Sequence, residues 1–453
     1  WQGDTDEGRR KIGQFAVLGV GVSALLVVIL SRLGWDNTFG GLFVTDSFSV
    51  TMKILMAVAT ALPLLMSMDY LKRNNLEKGE YYVLTLFAML GGFIMASAGD
   101  FMVLYLGLEM MSLSIYVLAA FNRDDIRSSE AGLKYFVLGS LASGILLYGI
   151  TLIYGTTGTT NISGIHTVLA GMHHVSPMVT VGVVMIIVGL SFKVAAAPFH
   201  MWAPDVYQGA PTSVTSFMAV MPKLAAFAVL YRVLFDSFQT LHHVWGPMLQ
   251  LLAVLSLAVG AFAAIQQTDI KRMLAYSSIG HVGYAMIGLA AGTAQGIQGV
   301  MVYLTIYIFM NLGAFAMILS LNADGIGENI DDYKGLSKER PLAAFVMALL
   351  MFSMAGIPPL AGFVGKLNIF FAAVDAGLIT VAIMGVLFSA VGAFYYLRIV
   401  KLMYFDAPER TFKAPIEGYG RAVLVISTAL VLIWGLFPGT LLGWAEATVL
   451  PFL

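Results

Sequence analysis

The chain has 453 residues, of which only 11% are charged and 59% are hydrophobic, and its mean hydropathy is +0.84; an ordinary soluble domain is about 25% charged. That much apolar surface cannot be buried inside a water-soluble body of this size, so lipid must be part of its solvent. A formal net charge of −1 gives no electrostatic case for nucleic acid, and the absence of cysteine excludes disulfides, a thiolate-held iron–sulfur cluster and a cysteine-based zinc site within this chain.

Thirteen apolar stretches are long enough to cross a bilayer as helices: 12–31, 47–68, 81–98, 101–121, 131–154, 177–195, 211–235, 246–266, 271–291, 296–320, 341–375, 377–403 and 421–446. The sixth ends at Ala195-Ala196-Ala197-Pro198 and runs on into a short segment flanked by prolines, Phe199 to Val206. The eleventh is too long for one helix and holds Gly356-Ile357-Pro358-Pro359 in its middle. The polar connections, the longest at 155–176, 321–340 and 404–420, are too short for a folded domain. A β-barrel is excluded, because the runs do not alternate and are about twice the length of a barrel strand. The expected fold class is an all-α polytopic membrane protein with thirteen transmembrane helices.

Basic residues test that count. If thirteen helices alternate, one side collects Arg9, Arg10, Lys11, Lys72, Arg73, Lys78, Arg123, Arg127, Lys271, Arg272, Lys334, Lys338, Arg340, Lys401, Arg410, Lys413 and Arg421. The other side collects only Arg32 and Arg232. This is the asymmetry of the positive-inside rule, and one miscounted span would scramble it. The start of the chain is then cytoplasmic and its C-terminus outside.

Six basic residues remain within spans. Lys53 and Arg398 lie near helix ends, where snorkelling accounts for them. Lys134, Lys193, Lys223 and Lys366 lie deeper, where each costs about 2.5–3.5 kcal/mol at the bilayer centre. They are expected to face the bundle interior with water or an acid beside them. Glu109, in Leu106-Gly107-Leu108-Glu109-Met110-Met111, is the only carboxylate well inside a span. Two readings stand: structural ion pairs, or groups that load and release protons as a partner moves.

The two interrupted spans bear on that choice, because a broken helix at membrane depth lines a polar cavity or is buried in protein. Spans three to seven and eight to twelve form two five-helix units, 81–235 and 246–403, with N-terminal helices at 1–80 and a C-terminal loop and helix at 404–453. The break then falls in the fourth helix of each unit, and each broken helix bears a lysine, Lys193 or Lys366. An odd number of helices per unit inverts the second unit relative to the first, as in secondary transporters. Kinks at Gly and Pro without function are the plainer reading. His166, His173, His174, His242 and His243 fall in outer loops. His200 lies just past the first break, and His281 sits mid-span at the position equivalent to Glu109. His281 reads as a hydrogen-bonded core residue, a proton relay or a haem ligand. Asp205, in the turn after the first break, reads as a helix cap. Phosphate-loop, dinucleotide and zinc-protease motifs are absent, and Gly19-Val20-Gly21 inside an apolar helix is helix packing.

The run Ser191-Phe192-Lys193-Val194-Ala195-Ala196-Ala197-Pro198-Phe199-His200-Met201-Trp202-Ala203-Pro204-Asp205-Val206-Tyr207-Gln208-Gly209-Ala210-Pro211 resembles the central signature of the antiporter-like subunits of respiratory complex I, NADH:quinone oxidoreductase. Val206 to Pro211, and Lys366 in Gly362-Phe363-Val364-Gly365-Lys366, resemble the subunit N branch. Sister subunits tend to carry an Asp-Ala-His-type sequence at the first place, and the nearest sister a glutamate at the second. The resemblance covers essentially the whole chain. It implies that Glu109 is the ion-pair glutamate of Lys193 on the broken helix, Lys223 the connecting lysine, and Lys366 the terminal lysine nearer the outer exit. It also places Lys134 and His281 on the inner polar axis and His200 beside the first break. The family has fourteen helices, the first of which is missing from the numbered chain; with it, both termini would lie outside.

The function so implied is proton translocation in a bacterial inner membrane, coupled to quinone reduction elsewhere in the complex. This chain itself would hold no cofactor or metal. NADH, FMN, iron–sulfur clusters and quinone (ubiquinone) would belong to partner membrane and peripheral subunits. A subunit of an Mrp-type cation/proton antiporter, a subunit of a membrane-bound hydrogenase and a passive scaffold are the alternatives.

Overall fold

The computed structural model describes residues 6–34, 37–172, 174–411 and 418–449; His173 and Lys413 lie outside the described residues. In chain order the elements are α1 (Asp6–Arg32), a small hairpin of β1 (Asn37–Thr38) and β2 (Phe43–Val44), α2 (Ser47–Arg73), α3 (Gly79–Ala96), α4 (Phe101–Ala119), α5 (Ile126–Thr157), α6 (Ile162–Ala170), α7 (Pro177–Val194), α8 (Trp202–Gly209), α9 (Thr212–Met218) and α10 (Met221–Tyr231). A π-helical turn, Arg232–Ser237, follows. Then come α11 (His242–Ile265), α12 (Ile270–Ala290), α13 (Ala294–Leu321), α14 (Leu336–Glu339), α15 (Pro341–Ala355), α16 (Ala361–Asp375), α17 (Ile379–Phe405), α18 (Gly418–Leu436) and α19 (Gly439–Val449).

Among the described residues eleven helices are long and apolar enough to cross a membrane. The other two expected spans are α12, made more polar by Lys271, Arg272, Ser277, Ser278 and His281, and the interrupted pair α15–α16. The expected last span, 421–446, ends early at Leu436: Pro438 has no N–H to continue the ladder, and a separate short helix follows. His166 lies on α6, and His242 and His243 open α11, instead of occupying loops.

Short polar side chains start most of these helices by capping their free N–H groups. Asp46, Asp100, Asp125, Asn161, Ser176, Asp269 and Thr293 each accept from a backbone N–H in the turn that follows. Two of the caps repeat a larger pattern. Asp100 and Asn161 form an isolated bridge, with Phe101 N–H to Thr160 O at 2.9 Å and Ile162 N–H to Gly99 O at 3.0 Å. Asp269 and Asn329 form the same bridge, with Ile270 N–H to Glu328 O and Ile330 N–H to Thr268 O, both at 2.8 Å. Each Asp starts the second helix of its unit, α4 or α12, and each Asn follows the third, α5 or α13. The two bridges stand at opposite ends of the bundle, as an inverted repeat requires.

Burial sorts the helices. α9, α10 and α13 are buried on nearly every face, which places them at the centre. α1 shows Phe15, Leu18, Leu25 and Ile29 to the outside, and α17 shows Ile383, Leu387 and Phe394, as lipid-facing or partner-facing helices do.

The end opposite the basic residues holds a buried charge cluster around Arg232, which the sequence reading assigned to the outer side, and Lys53, which it read as snorkelling. Arg232 is 4% exposed; it donates to both oxygens of Asp46 (2.8 and 2.7 Å), to Asp236 (3.2 Å) and to Ala96 O (2.8 Å). Lys53, 3% exposed, lies 4.5 Å from the Phe43 ring centroid. The hairpin folds back over this end, tied by Val44 N–H to Ser97 O and Gly99 N–H to Leu42 O, and its Phe43 ring covers Lys53. Replacing Arg232 with alanine strands Asp46 and Asp236. With both carboxylates partly solvated, the loss falls at the low end of the range for a broken buried pair, about 3 kcal/mol. A thermal-unfolding scan in mild detergent should show a clear fall in melting temperature.

Candidate functional site

The first break positions the first lysine. Ala195 adopts φ 60°, its N–H returns to Phe192 O and that of Ala196 to Ser191 O, and Pro198 prevents any continuation. Lys193 is thereby left in the last turn of α7, where a cation meets the negative end of the helix dipole. It is 4% exposed and donates to Ser112 Oγ (2.9 Å), Tyr116 OH (3.1 Å) and Ser143 Oγ (3.2 Å), hydroxyls supplied by α4 and α5.

The direct ion pair expected between Lys193 and Glu109 is not formed. Glu109 is half-buried, its Oε1 has no hydrogen-bond partner, and it acts on Lys193 only through space. The reason is register: the ammonium meets α4 at Ser112 and Tyr116, one turn and two turns beyond the glutamate.

Lys223, 3% exposed near the start of α10, reaches back to the α9–α10 kink. It donates to Tyr207 OH (2.6 Å), Ser278 Oγ (3.1 Å) and Ala219 O (3.2 Å). One turn along α12 from Ser278, His281 is 4% exposed and held at both ring nitrogens, Nδ1 by the Tyr303 hydroxyl and Nε2 by Tyr396 OH at 3.1 Å.

The second break positions Lys366. α15 ends at Gly356, whose φ of 87° is left-handed, and its last carbonyls are left without helical partners. Lys366, on α16 and 5% exposed, caps two of them: it donates to Ala355 O (2.9 Å) and Met354 O (3.1 Å), and also to Ser389 Oγ (2.9 Å). The lysines of the two units therefore stand on different sides of their breaks, Lys193 before and Lys366 after. His281 and Lys366 share a cavity with Ser277, Ser389, Tyr284 and Tyr396; its volume of about 20 Å³ suits a water molecule.

Two predicted site residues lie elsewhere. Lys134 is no deep lysine: its side chain is 42% exposed, paired with Glu130 (2.7 Å) and Asp205 (2.9 Å). α5 begins at Ile126, so Lys134 stands little more than two turns from the basic end. Asp205 is more than a cap, since it also binds Arg272 (2.6 Å) and so ties α8 to α12 across the two units. A polar cavity of about 170 Å³ opens beside Lys134, lined also by Arg127, Glu130 and Gln208. His200 is half-buried, its Nδ1 without a hydrogen-bond partner.

His281 and Lys366 thus share one polar cavity and Lys223 meets α12 at Ser278, one turn from His281, whereas aromatic rings stand between Lys193 and Lys223. Tyr135 and Trp202 stack at 4.1 Å, and Tyr207 meets the Trp202 edge at 6.3 Å. The sequence reading missed the hydroxyls: Ser112, Tyr116, Ser143, Tyr207, Ser278, Tyr303, Ser389 and Tyr396. The signal was present on α4 and α12 as polar residues at helical spacing, Glu109–Ser112–Tyr116 and Ser277–Ser278–His281. Among the described residues no cluster of three or more His, Cys, Asp or Glu could hold a metal ion. What the arrangement can do is hold protons on nitrogen and pass them between hydroxyls and water.

An inverted pair of broken five-helix units around buried lysines defines a polytopic membrane subunit of the antiporter-like class. Residues 98–392 match the family model described as NADH:quinone oxidoreductase/Mrp antiporter, TM. The chain is 57% identical over 449 residues to NADH-quinone oxidoreductase subunit N of Magnetococcus marinus, covering 99% of this chain and 92% of that one. It is 52% identical to the subunit N of Paramagnetospirillum magneticum, with coverage of 98% and 92%. Among solved structures it superposes on a chain of respiratory complex I from Thermus thermophilus with a TM-score of 0.82 at 34% identity, covering 97% and 95%. It superposes on a chain of the Mrp complex from Dietzia sp. with a TM-score of 0.85, where 22% identity speaks to fold alone and coverage is 98% and 93%. The chain belongs to the subunit N family of NADH-quinone oxidoreductase.

The second break tolerates no added methyl group. A Cβ at Gly362 would stand 1.8 Å from Ser353 O, in the backbone just before the turn that Lys366 caps. Gly362→Ala should cost at least the 1–3 kcal/mol typical of overpacking and lower both the melting temperature and the amount of assembled complex recovered in mild detergent.

Proposed function

We propose that this chain carries protons across the membrane as a subunit of an NADH:quinone oxidoreductase, through Lys193, Lys223, His281 and Lys366. The observation that carries the reading is that all four groups are buried inside an apolar bundle yet furnished with hydroxyl and carbonyl partners. The basic end faces the cytoplasm and the C-terminus the periplasm, on the positive-inside rule. A proton enters near Lys193, with Lys134 and His200 on the approach, passes Lys223 and His281, and leaves from Lys366. Glu109 biases Lys193 through space, and motion that brings the two together or apart changes how firmly Lys193 holds its proton. The repeats divide the chain at 81–235 and 246–403, with 1–80 and 404–453 as flanking helices.

Hydride transfer is assigned to no residue of this chain. NADH, FMN, iron–sulfur clusters and quinone belong to the other membrane and peripheral subunits, and quinone reduction there supplies the energy. Moving one elementary charge against 100 mV takes about 2.3 kcal/mol, which the making or breaking of one ion pair at an effective dielectric constant near 20 can match. The family model, which spans NADH:quinone oxidoreductase and Mrp antiporter chains, favours a second reading, as an Mrp-type cation/proton antiporter subunit. Transport that follows NADH oxidation and ignores an imposed sodium gradient decides between them.

Lys193→Ala and Lys223→Ala should each abolish most NADH-driven proton uptake in inverted vesicles, with the complex still assembled; Glu109→Ala should reduce it. Uptake at the unmodified rate in all three would reduce the chain to a scaffold.

A further inference from the structure

Between His281 and Lys366 the path has a gap that no lysine or histidine fills. Three tyrosines, Tyr284, Tyr395 and Tyr396, line the cavity between them, and of these Tyr396 is within hydrogen-bond distance of His281. Tyr396, 2% exposed on α17, has its hydroxyl 3.1 Å from His281 Nε2 and in close contact with Ser277 Oγ, itself 1% exposed. Tyr303, fully buried on α13, contacts Nδ1. Ser277, Tyr396, His281, Lys366 and Ser389 all line the water-sized cavity.

The partners differ in what they can do. A neutral imidazole has one N–H and one lone pair, whereas the imidazolium donates from both nitrogens. Tyr396 can accept from Nε2 while donating its own O–H to Ser277, and Ser277 can donate onward into the cavity. Every group in this line keeps one donor and one acceptor, so all point the same way without a broken hydrogen bond. Tyr303 has no second partner in the hydrogen bonds described, so it can hold the ring but not hand a proton on.

We propose that the Tyr396 hydroxyl, with Ser277, is the proton-passing link between His281 and Lys366, and that Tyr303 is a positioning residue for the imidazole. This rests on the path proposed above and adds to it the step that path leaves open. In that step the Nε2–H bond of the imidazolium breaks and an O–H bond forms at Tyr396, whose original O–H proton passes to Ser277. Ser277 gives its own proton to the cavity water, which passes one to the neutral amine of Lys366. One O–H bond is made and one broken at each oxygen, no tyrosinate forms, and the net change is one proton moved from imidazolium to amine.

The test is NADH-driven proton uptake by the assembled complex in inverted vesicles, measured beside NADH oxidation in H2O and in D2O. Tyr396→Phe removes only the oxygen and keeps the ring. Uptake should fall several-fold with a changed solvent isotope effect, and Tyr303→Phe should leave that isotope effect nearer the unmodified value. Ser277→Ala should match Tyr396→Phe, Ser277→Thr should restore uptake, and the double variant should be no worse than either single one, because both interrupt one line. If Tyr396→Phe does not assemble, the Ser277→Ala and Ser277→Thr pair carries the same test. Uptake at the unmodified rate and isotope effect in Tyr396→Phe or Ser277→Ala overturns the relay. If Lys223→Ala and Lys366→Ala also pump normally, the whole path is wrong; if they fail while Tyr396→Phe pumps, only the relay is.

Discussion

An ammonium group inside an apolar helical bundle is the constraint on which the rest of this structure depends. Each such lysine carries a penalty of about 2.5–3.5 kcal/mol at the bilayer centre, and three of them stand here at 3–5% exposure. None is offset by a salt bridge. Each is met by three oxygens: hydroxyls alone at Lys193, two hydroxyls and a carbonyl at Lys223, two carbonyls and a hydroxyl at Lys366. A carboxylate would lock the charge in place, because breaking a buried pair leaves an uncompensated ion. A neutral oxygen cage accepts either the ammonium or, after its hydroxyls rotate, the amine. That reversibility suits a group that must give its proton up.

The helix breaks follow from the same requirement. Carbonyl oxygens can face a lysine only where the helix ladder no longer uses them, and the C-terminal turn of a helix is where four become free. At the second break Lys366 takes up two of them. At the first, Trp202 Nε1 and Ala195 N–H donate to Phe192 O and Ala196 N–H donates to Ser191 O, while Lys193 turns to hydroxyls on neighbouring helices. Similar backbone interruptions therefore produce different environments, with the lysine on opposite sides of the break. Two similar breaks thus yield inequivalent lysine environments.

Much of this was legible in the sequence. Thirteen apolar runs, the strong bias of basic residues to one side and the prolines of two runs fix the span count and the breaks, because lipid leaves the backbone few options. Depth was less legible. Lys53 looked like a snorkelling residue and Lys134 like a deep one, and the structure reverses both: a hairpin from 37–44 covers the first, and α5 starts close to the second. The expected Glu109–Lys193 contact failed for a similar reason. Sequence spacing places residues along one helix, but the height at which a neighbouring helix meets it is set by packing. Hydroxyl partners were the least visible, since a serine or tyrosine in an apolar helix is ordinary until a lysine on another helix reaches it.

The separation of Lys193 from the other three groups bears on how transport could be gated. His281 and Lys366 line one cavity, and Lys223 donates to Ser278, one turn along α12 from His281. Between Lys193 and Lys223 stand the stacked rings of Tyr135 and Trp202 and the edge of Tyr207, which offer no line of exchangeable protons. The barrier is not uniform: Tyr207 turns its hydroxyl to Lys223, while Tyr116, in edge contact with Tyr135, turns its own to Lys193. A modest shift of the Tyr135–Trp202 pair would let water join the two hydroxyls. Trp202 opens α8, and α8 is tied to α5 and α12 through Asp205. A displacement of α12 relative to α5 would therefore bear on the rings that divide the proposed path, because Asp205 joins both helices to the one that carries Trp202.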